Sequence, residues 1–179
     1  DYADISPDIM FISKGLTGGY MPMAITITTD KIYDAFYADY NEGKAFMHSH
    51  TYSGNPLGCS AALSVQRILK EDDIINKANI RAKYLNNKLK EKLDNHKEIR
   101  NIGLINAMEL VINKNTKEGF DSKLRMGYQI YKKALQRGLL LRPLGNVIYF
   151  NPPLIINEEE IERAVDLCVS SINDILPYN

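Results

Sequence analysis

The chain has 179 residues, a length that corresponds to one full domain or to parts of two. Hydrophobic residues make up 45% of it and charged residues 25%, a composition that predicts a folded body and disfavours disorder. Because 22 basic residues balance 22 acidic ones, and no apolar run is longer than that of Val147 to Phe150, neither nucleic acid nor a membrane is an expected partner.

Two short strands are predicted near the start of the chain, with a glycine-rich loop between them. The apolar residues 9–12 predict a buried strand that ends just before Lys14. Three glycines lie within residues 15–19, and their backbone freedom predicts a loop that a ligand or another segment can approach closely. Residues 24–29 alternate apolar and hydroxyl side chains, which is typical of a half-buried strand.

Four helices are predicted farther along the chain. Asn55 is a good helix cap and Pro56 suits the first helical position, so a helix starts there. Apolar residues at steps of three and four indicate a long amphipathic helix over residues 74–93. Residues 123–137 have helical composition and stop at a glycine. The last helix begins after Asn157, where three glutamates suit the helix dipole.

The second half of the chain also carries strand patterns. Residues 99–105 and 107–112 are β-like runs separated by little more than Asn106, which predicts a hairpin or a bent strand. Two more apolar runs, residues 139–141 and 147–150, flank a turn-like segment that begins at Arg142. Together with the helices, these runs predict a small α+β unit.

Lys14 is the first candidate for chemistry. It lies at a strand end directly before a glycine, so its side chain can project into a cleft. A lysine amine with a lowered pKa is a nucleophile, and with an aldehyde cofactor it forms a Schiff base. The alternative is an ordinary solvated surface lysine, which the local pattern by itself favours.

A family resemblance adds to this interpretation. Residues 6–22, SPDIMFISKGLTGGYMP, and residues 46–63, FMHSHTYSGNPLGCSAAL, closely resemble the class-III pyridoxal-phosphate aminotransferases, and residues 141–149, LRPLGNVIY, extend the similarity. The resemblance implies an α/β fold, the C-terminal part of a fold-type-I transferase. It also implies that residues 1–70 end the large cofactor-binding domain and that residues 71–179 form the small α+β domain.

The resemblance assigns the cofactor, pyridoxal 5′-phosphate, to three residues. Lys14 would bind its aldehyde as a Schiff base and then move the proton of the substrate α-carbon. Thr51 would reach across a homodimer interface to the cofactor phosphate of the partner subunit, with His50 beside it. Hydroxyls and backbone amides of such a turn are suitable anion donors. The alternative for Thr51 is a hydroxyl that bonds its own turn.

Three further residues are candidates for substrate binding. Arg142 lies between apolar runs, where a carboxylate is its natural bidentate partner. The resemblance implies that this carboxylate belongs to 8-amino-7-oxononanoate; the alternative is an internal ion pair. Tyr149 could line the same pocket or belong to the core, and Ser49 lies where the family places a small substrate-contacting residue, usually glycine.

The activity that the resemblance implies is an amino-group transfer in biotin synthesis, from S-adenosylmethionine to 8-amino-7-oxononanoate. Alternatives are another ω-aminotransferase, with ornithine, 4-aminobutyrate or lysine as donor, or a catalytically incomplete fragment that associates with itself. The incomplete fragment is kept as an alternative because the chain opens at Asp1. Three parts of the family's cofactor site are expected upstream of it: the aspartate for the pyridine nitrogen, the main phosphate loop and the aromatic residue that stacks on the ring.

Histidine and cysteine usage restricts the remaining site types. His48 and His50 form a His-x-His pair, but a catalytic zinc needs three protein ligands and no third is evident, so no metal is expected. Cys59 and Cys168 lie far apart, which predicts reduced thiols and a cytoplasmic protein.

Overall fold

The computed structural model of the chain describes residues 3–93, 97–113 and 115–176. The chain divides into two units, Asp1–Asp72, here called unit 1, and Asp73–Asn179, here called unit 2. None of the helices in the described ranges has the length and apolar character needed to cross a membrane.

The described residues of unit 1 form two strands and two α-helices. Their bounds are β1 Ile9–Ser13, β2 Ala24–Thr28, α1 Asp30–Asp34 and α2 Pro56–Glu71, with short 3-10 helices at Lys14–Thr17 and Tyr40–Glu42. The two strands pair antiparallel, with Ile9 opposite Thr28 and Ser13 opposite Ala24. The positions predicted for both strands are confirmed. The predicted start of α2 is also confirmed, because the Leu57 amide donates to Asn55 Oδ1 at 3.1 Å.

The prediction that β1 is buried is wrong. Its residues are exposed or half-buried, and Phe11 keeps 78% of its surface accessible. The reason is that α2 packs against the 3-10 helix after β1 and not against the faces of the strands. Of β2, expected to be half-buried, only Ile25 is partly covered. The buried residues of unit 1 accordingly cluster where α2 meets this 3-10 helix, at Leu16, Thr17, Gly58 and Ala62.

Unit 2 is an antiparallel sheet with three α-helices. The bounds are α3 Ile74–Leu93, β3 Lys97–Ile102, β4 Ile105–Asn113, β5 Glu118–Gly119, α4 Met126–Gln136, β6 Arg142–Leu144, β7 Val147–Phe150 and α5 Glu158–Asn173, with a 3-10 helix at Ser122–Leu124. The strand order is β3-β4-β7-β6, and β5 pairs with β4. This arrangement confirms the predicted α+β unit.

The core of unit 2 lies among the helices and one face of the sheet. α3 and α4 both pack against α5, and α4 also contacts β6 and β7. The side chains with no accessible surface include Leu89, Ile130, Ile148, Ile161 and Val165. Each aliphatic side chain of this size contributes about 1.5–3 kcal/mol when it is fully buried. The apolar faces predicted for α3 and α5 are therefore confirmed as core faces.

The β3–β4 hairpin turns earlier than predicted. The turn falls at Gly103 and Leu104, where Gly103 has a φ of +52°, and not at Asn106. Asn106 lies inside β4 and is fully buried. Its Oδ1 accepts from Asn86 Nδ2 at 2.9 Å and its Nδ2 donates to the Leu104 carbonyl at 3.2 Å. A buried amide needs such partners, and α3 and the hairpin turn each supply one.

Two other boundaries differ from the predictions. α4 begins at Met126 and not at residue 123, because Arg125 has a left-handed φ of +50° that interrupts the helical path. Arg142, expected between two strand-like runs, is itself the first residue of β6, and residues 139–141 form no strand. The predicted stop of α4 is confirmed, because the helix ends at Gln136 and Gly138 follows with a φ of +84°.

Candidate active site

Lys14 follows the last residue of β1 and opens the 3-10 helix. Its φ is +50°, in the left-handed region, which costs a non-glycine residue about 1–2 kcal/mol. Its side chain is exposed, and within the described ranges no hydrogen bond or ion pair joins its amine to another residue. A strained residue at a strand end is a frequent feature of functional sites. The amine is thus available to an external electrophile.

The loop after Lys14 is held on α2. Thr17 is 1% exposed, and its Oγ1 donates to the Met21 carbonyl at 2.6 Å. Gly18 has a φ of +60°, and a Cβ there would lie 3.2 Å from Cγ2 of Val65. Only glycine allows this backbone to turn and to approach α2 at the same point. Thr17 was not identified from the sequence, although a hydroxyl before two glycines is a signal of an anchored turn.

His50 and Thr51 lie in the turn that leads into α2. The Tyr52 amide donates to His50 Nδ1 at 3.2 Å, and the Ser53 amide donates to the His50 carbonyl at 2.9 Å. The Thr51 hydroxyl makes no hydrogen bond to any residue that the structure describes, so it does not bond its own turn. Ser49 is exposed and precedes this turn. These groups remain free to donate to an anion.

His48 and His50 contact different residues. Its ring packs 5.5 Å from the ring of Phe46, and both residues line an apolar groove of about 730 Å³ beside β1 and β2. Among the residues in the described ranges, no three His, Cys, Asp or Glu side chains are grouped to hold a metal ion. His48 is therefore part of an aromatic wall.

The two substrate candidates of unit 2 are neighbours. Arg142 in β6 and Tyr149 in β7 are directly opposite each other in the strand register, and the guanidinium Cζ lies 6.0 Å from the centre of the tyrosine ring. Because side chains alternate along a strand, both point away from the face on which Ile148 is buried. They line a shallow groove of about 390 Å³ with Tyr131, Leu140, Leu141, Pro143 and Leu144.

Arg142 has no carboxylate of the described residues within 4.0 Å, so the internal ion pair is not formed there. Arg100 and Arg137, by contrast, are paired with Glu109 at 3.0 Å and with Asp174 at 2.8 Å. An unpaired guanidinium offers a planar fork of N–H donors that fits a carboxylate bidentately. The groove can therefore bind a carboxylate that carries an apolar chain.

The predicted residues are distributed over both units. Lys14, Ser49, His50 and Thr51 belong to unit 1, and α2 connects their two segments, because it contacts the loop after Lys14 and starts directly after the turn. Arg142 and Tyr149 belong to unit 2. Tyr131 was missed, because only the packing of α4 against β6 brings it to the groove.

Comparison with known proteins supplies the family. The model of the aminotransferase class-III family matches residues 1–173. An adenosylmethionine-8-amino-7-oxononanoate aminotransferase of Geobacter sulfurreducens is 45% identical over 173 residues, which are 96% of this chain and 38% of that protein. A putrescine–pyruvate aminotransferase of Pseudomonas aeruginosa is 37% identical over 93% of this chain and 36% of its own length.

A solved structure agrees with these matches. The crystal structure of adenosylmethionine-8-amino-7-oxononanoate aminotransferase from Methanocaldococcus jannaschii superposes with a TM-score of 0.85 at 39% identity. The superposition covers 95% of this chain and 39% of that one. The chain thus spans about two fifths of the length of the relatives that it matches.

Proposed function

Because the chain belongs to the class-III aminotransferases, we propose that it is part of an enzyme that transfers an amino group from S-adenosylmethionine to 8-amino-7-oxononanoate. The product is 7,8-diaminononanoate, an intermediate of biotin synthesis. The names of the relatives from G. sulfurreducens and M. jannaschii support this choice within the family. The observation that carries the proposal is the exposed amine of Lys14, which has no partner among the described residues, on a strained backbone at the end of β1.

The residues present fit pyridoxal 5′-phosphate, the cofactor of this family. The Lys14 amine, which has no partner in the described ranges, suits the cofactor aldehyde, and Cβ atoms placed at Gly15 and Gly19 would meet nothing within 4 Å, so the loop after Lys14 is open at these two positions. The Thr51 hydroxyl, which makes no hydrogen bond to a described residue, suits the phosphate, with His50 beside it. When bound, the cofactor withdraws electrons from the substrate carbon that loses its proton.

The residues of the chain then have distinct roles. Lys14 Nζ holds the cofactor before substrate arrives and afterwards takes and returns the proton of the substrate carbon. The Thr17 hydroxyl holds the loop on which Lys14 lies, through its bond to the Met21 carbonyl. Arg142 binds the substrate carboxylate, with Tyr149 beside it and Ser49 as a further substrate contact.

The same proposal includes the assembly and the domains. We place the enzyme in the cytoplasm as a homodimer whose Thr51 donates to the cofactor phosphate of the partner subunit. Unit 1 corresponds to the end of the large cofactor-binding domain, and unit 2 to the small domain. The division between Asp72 and Asp73 supports this assignment.

Borohydride labelling tests the role of Lys14. The complete open reading frame that encodes these residues is expressed, loaded with pyridoxal phosphate, reduced and digested. The pyridoxyl tag is expected on the peptide that contains Lys14 and is expected to be lost in Lys14→Ala. Lys31→Ala, an exposed lysine of α1, is the matched control and should keep the tag. A tag on another peptide, or none, overturns the proposal.

A second candidate is another ω-aminotransferase of the same class. The 37% identity to the putrescine–pyruvate aminotransferase favours it. The two candidates differ in the need for Arg142, because only the first requires a guanidinium for the oxononanoate carboxylate. Arg142→Ala should raise the KM for 8-amino-7-oxononanoate by a factor that corresponds to about 1.5–3 kcal/mol of binding free energy, the value of a charge-assisted hydrogen bond. An unchanged KM, equal to that of the exposed control Arg163→Ala, would support the second candidate.

A further inference from the structure

The groove around Arg142 has an unusual balance of groups. Among the described residues, its lining contains one cation and no acid, and the remaining side chains are aliphatic or aromatic. A ligand that complements it carries one negative group at the end of an apolar chain. Arg142 accounts for the negative group, but it does not account for a preference among apolar chains of different length.

Tyr131 reaches this groove from α4, a different element from the strands that carry Arg142 and Tyr149. The buried face of α4 contains Gly127, Ile130 and Ala134, so Tyr131 lies at the edge of that face and is half-buried. Within the described part of the chain, its hydroxyl makes no hydrogen bond to the protein. Tyr131 therefore contributes its aromatic ring to the wall of the groove.

Gly127 explains how α4 comes close enough to the groove. A Cβ at this position would lie 2.4 Å from the Gly145 carbonyl oxygen and 3.4 Å from Cβ of Pro143. The first turn of α4 thus lies directly against the turn between β6 and β7. Residues four apart on a helix share one face, so the same contact directs Tyr131 toward β6. Because β6 is the last strand in the order of the sheet, the groove runs around its edge and is lined by both Tyr131 and Arg142.

We propose that Tyr131 is a specificity-determining residue of the Arg142 groove: its ring forms an apolar wall that favours carboxylates on a long aliphatic chain. This inference rests on the proposed function, in which Arg142 binds the substrate carboxylate. It adds a residue of α4 that selects the chain behind that carboxylate.

Titration of the 179-residue chain with acetate, butyrate, hexanoate and octanoate, followed by ¹H–¹⁵N NMR, tests the proposal. A fully buried methylene is worth about fourfold in affinity, and the groove is open on one side, so we expect about twofold per methylene. Tyr131→Ala should reduce the ratio of octanoate to butyrate affinity by about fourfold and leave acetate affinity unchanged. Tyr131→Phe should restore the ratio, because it keeps the ring.

Controls separate this inference from the role of Arg142. Tyr40→Ala removes a fully exposed tyrosine of unit 1 and should leave the ratio unchanged. If Arg142→Ala abolishes binding while Tyr131→Ala keeps the full chain-length preference, the role of Tyr131 is wrong and the proposed function stands. If Arg142→Ala binds all four acids as well as the native chain does, the carboxylate site itself is wrong. Should Tyr131→Ala not fold, Tyr131→Gln gives the same comparison, and an unchanged ratio overturns the inference.

Discussion

Single residues in this protein act through the backbone as well as through their side chains. Lys14 is held in the left-handed region, and its amine has no protein partner in the described ranges. Gly127 contributes the opposite feature, the absence of a Cβ where α4 meets the Gly145 carbonyl. The backbone therefore restricts both positions: Lys14 has to adopt a left-handed conformation, and Gly127 has to leave room for a neighbouring carbonyl.

Replacement of Gly127 tests this requirement. In an exposed helix, Gly→Ala stabilises by about 1 kcal/mol because alanine loses less backbone entropy. Here the new methyl group would lie 2.4 Å from a backbone oxygen, and overpacking of this kind costs about 1–3 kcal/mol. Because the obstacle is backbone, no side-chain rotation relieves it. The cost therefore lies at about 2–3 kcal/mol, and after the entropy gain we expect a net loss of about 1–2 kcal/mol.

Urea unfolding measures this loss for Gly127→Ala. The control is Gly15→Ala, since a Cβ at Gly15 meets nothing within 4 Å and its φ is not positive. The control should leave the unfolding of unit 2 unchanged. A Gly127→Ala chain as stable as the native one would show that the contact between α4 and the β6–β7 turn is relieved at no cost.

At the scale of elements, polar contacts join α3 to α5 at the surface of their apolar interface. Tyr84 donates to Glu162 Oε1 at 2.5 Å, and Lys88 Nζ lies 3.3 Å from the same oxygen. One turn later, Lys92 pairs with Asp166. The hydrogen bond from Tyr84, and then that from Lys88, hold the pKa of the Glu162 carboxyl below its usual value. The contribution of these contacts to stability therefore depends on pH.

The acid dependence of stability follows from the sign of this shift. Since the pKa of Glu162 is lower in the folded chain than in the unfolded one, its contribution is present above the unfolded pKa and is lost as the pH falls through the folded pKa. We expect Glu162→Gln to flatten the loss of stability between about pH 6 and about pH 3. Urea midpoints across this range measure the effect.

Glu118→Gln is the control for that measurement. Glu118 is exposed in β5 and has no ion pair with a described residue, so its variant should keep the acid dependence of the native chain. Equal slopes for Glu162→Gln and the native chain would mean that the contact with Tyr84 and Lys88 does not persist in solution.

At the scale of the whole molecule, the two units differ in how much they bury. Unit 2 has a continuous apolar core between its helices and its sheet. The described residues of unit 1 are buried where α2 meets the loop after Lys14, and large apolar residues such as Phe11 and Tyr40 are exposed. Exposed apolar faces and open strand edges favour association with other chains.

Hydrogen exchange of the 179-residue chain should reflect this difference. Peptides from α3, β4 and α5 are expected to exchange slowly, because their amides open only when the core of unit 2 opens. Peptides from β1 and β2 are expected to exchange rapidly. Mass spectrometry at two protein concentrations about tenfold apart separates folding from association, since only protection by association depends on concentration. Slow exchange of β1 at both concentrations would contradict the prediction.

Much of the local structure is encoded within short segments. The cap at Asn157 is an example, because the Glu160 amide donates to Asn157 Oδ1 at 2.8 Å and Glu160 Oε2 accepts from the Asn157 amide at 2.9 Å. The periodicity of α3 and the cap at Asn55 likewise depend on residues close in the chain, and each was predicted correctly. Lys14 could be named as a candidate because its signals are also close in the chain: a strand end, a glycine loop and a family motif.

The sequence by itself therefore predicted most of the helices and strands, and it named Lys14 and Arg142 as candidates for chemistry. The tertiary structure decided that β1 is uncovered, that Arg142 is unpaired among the described residues, and that Tyr131 joins its groove. Capping and periodicity act within a few residues, where local preference is enough to predict the outcome. Burial and pairing depend on contacts between segments far apart in the chain, and these form only when α4, β6 and β7 pack together.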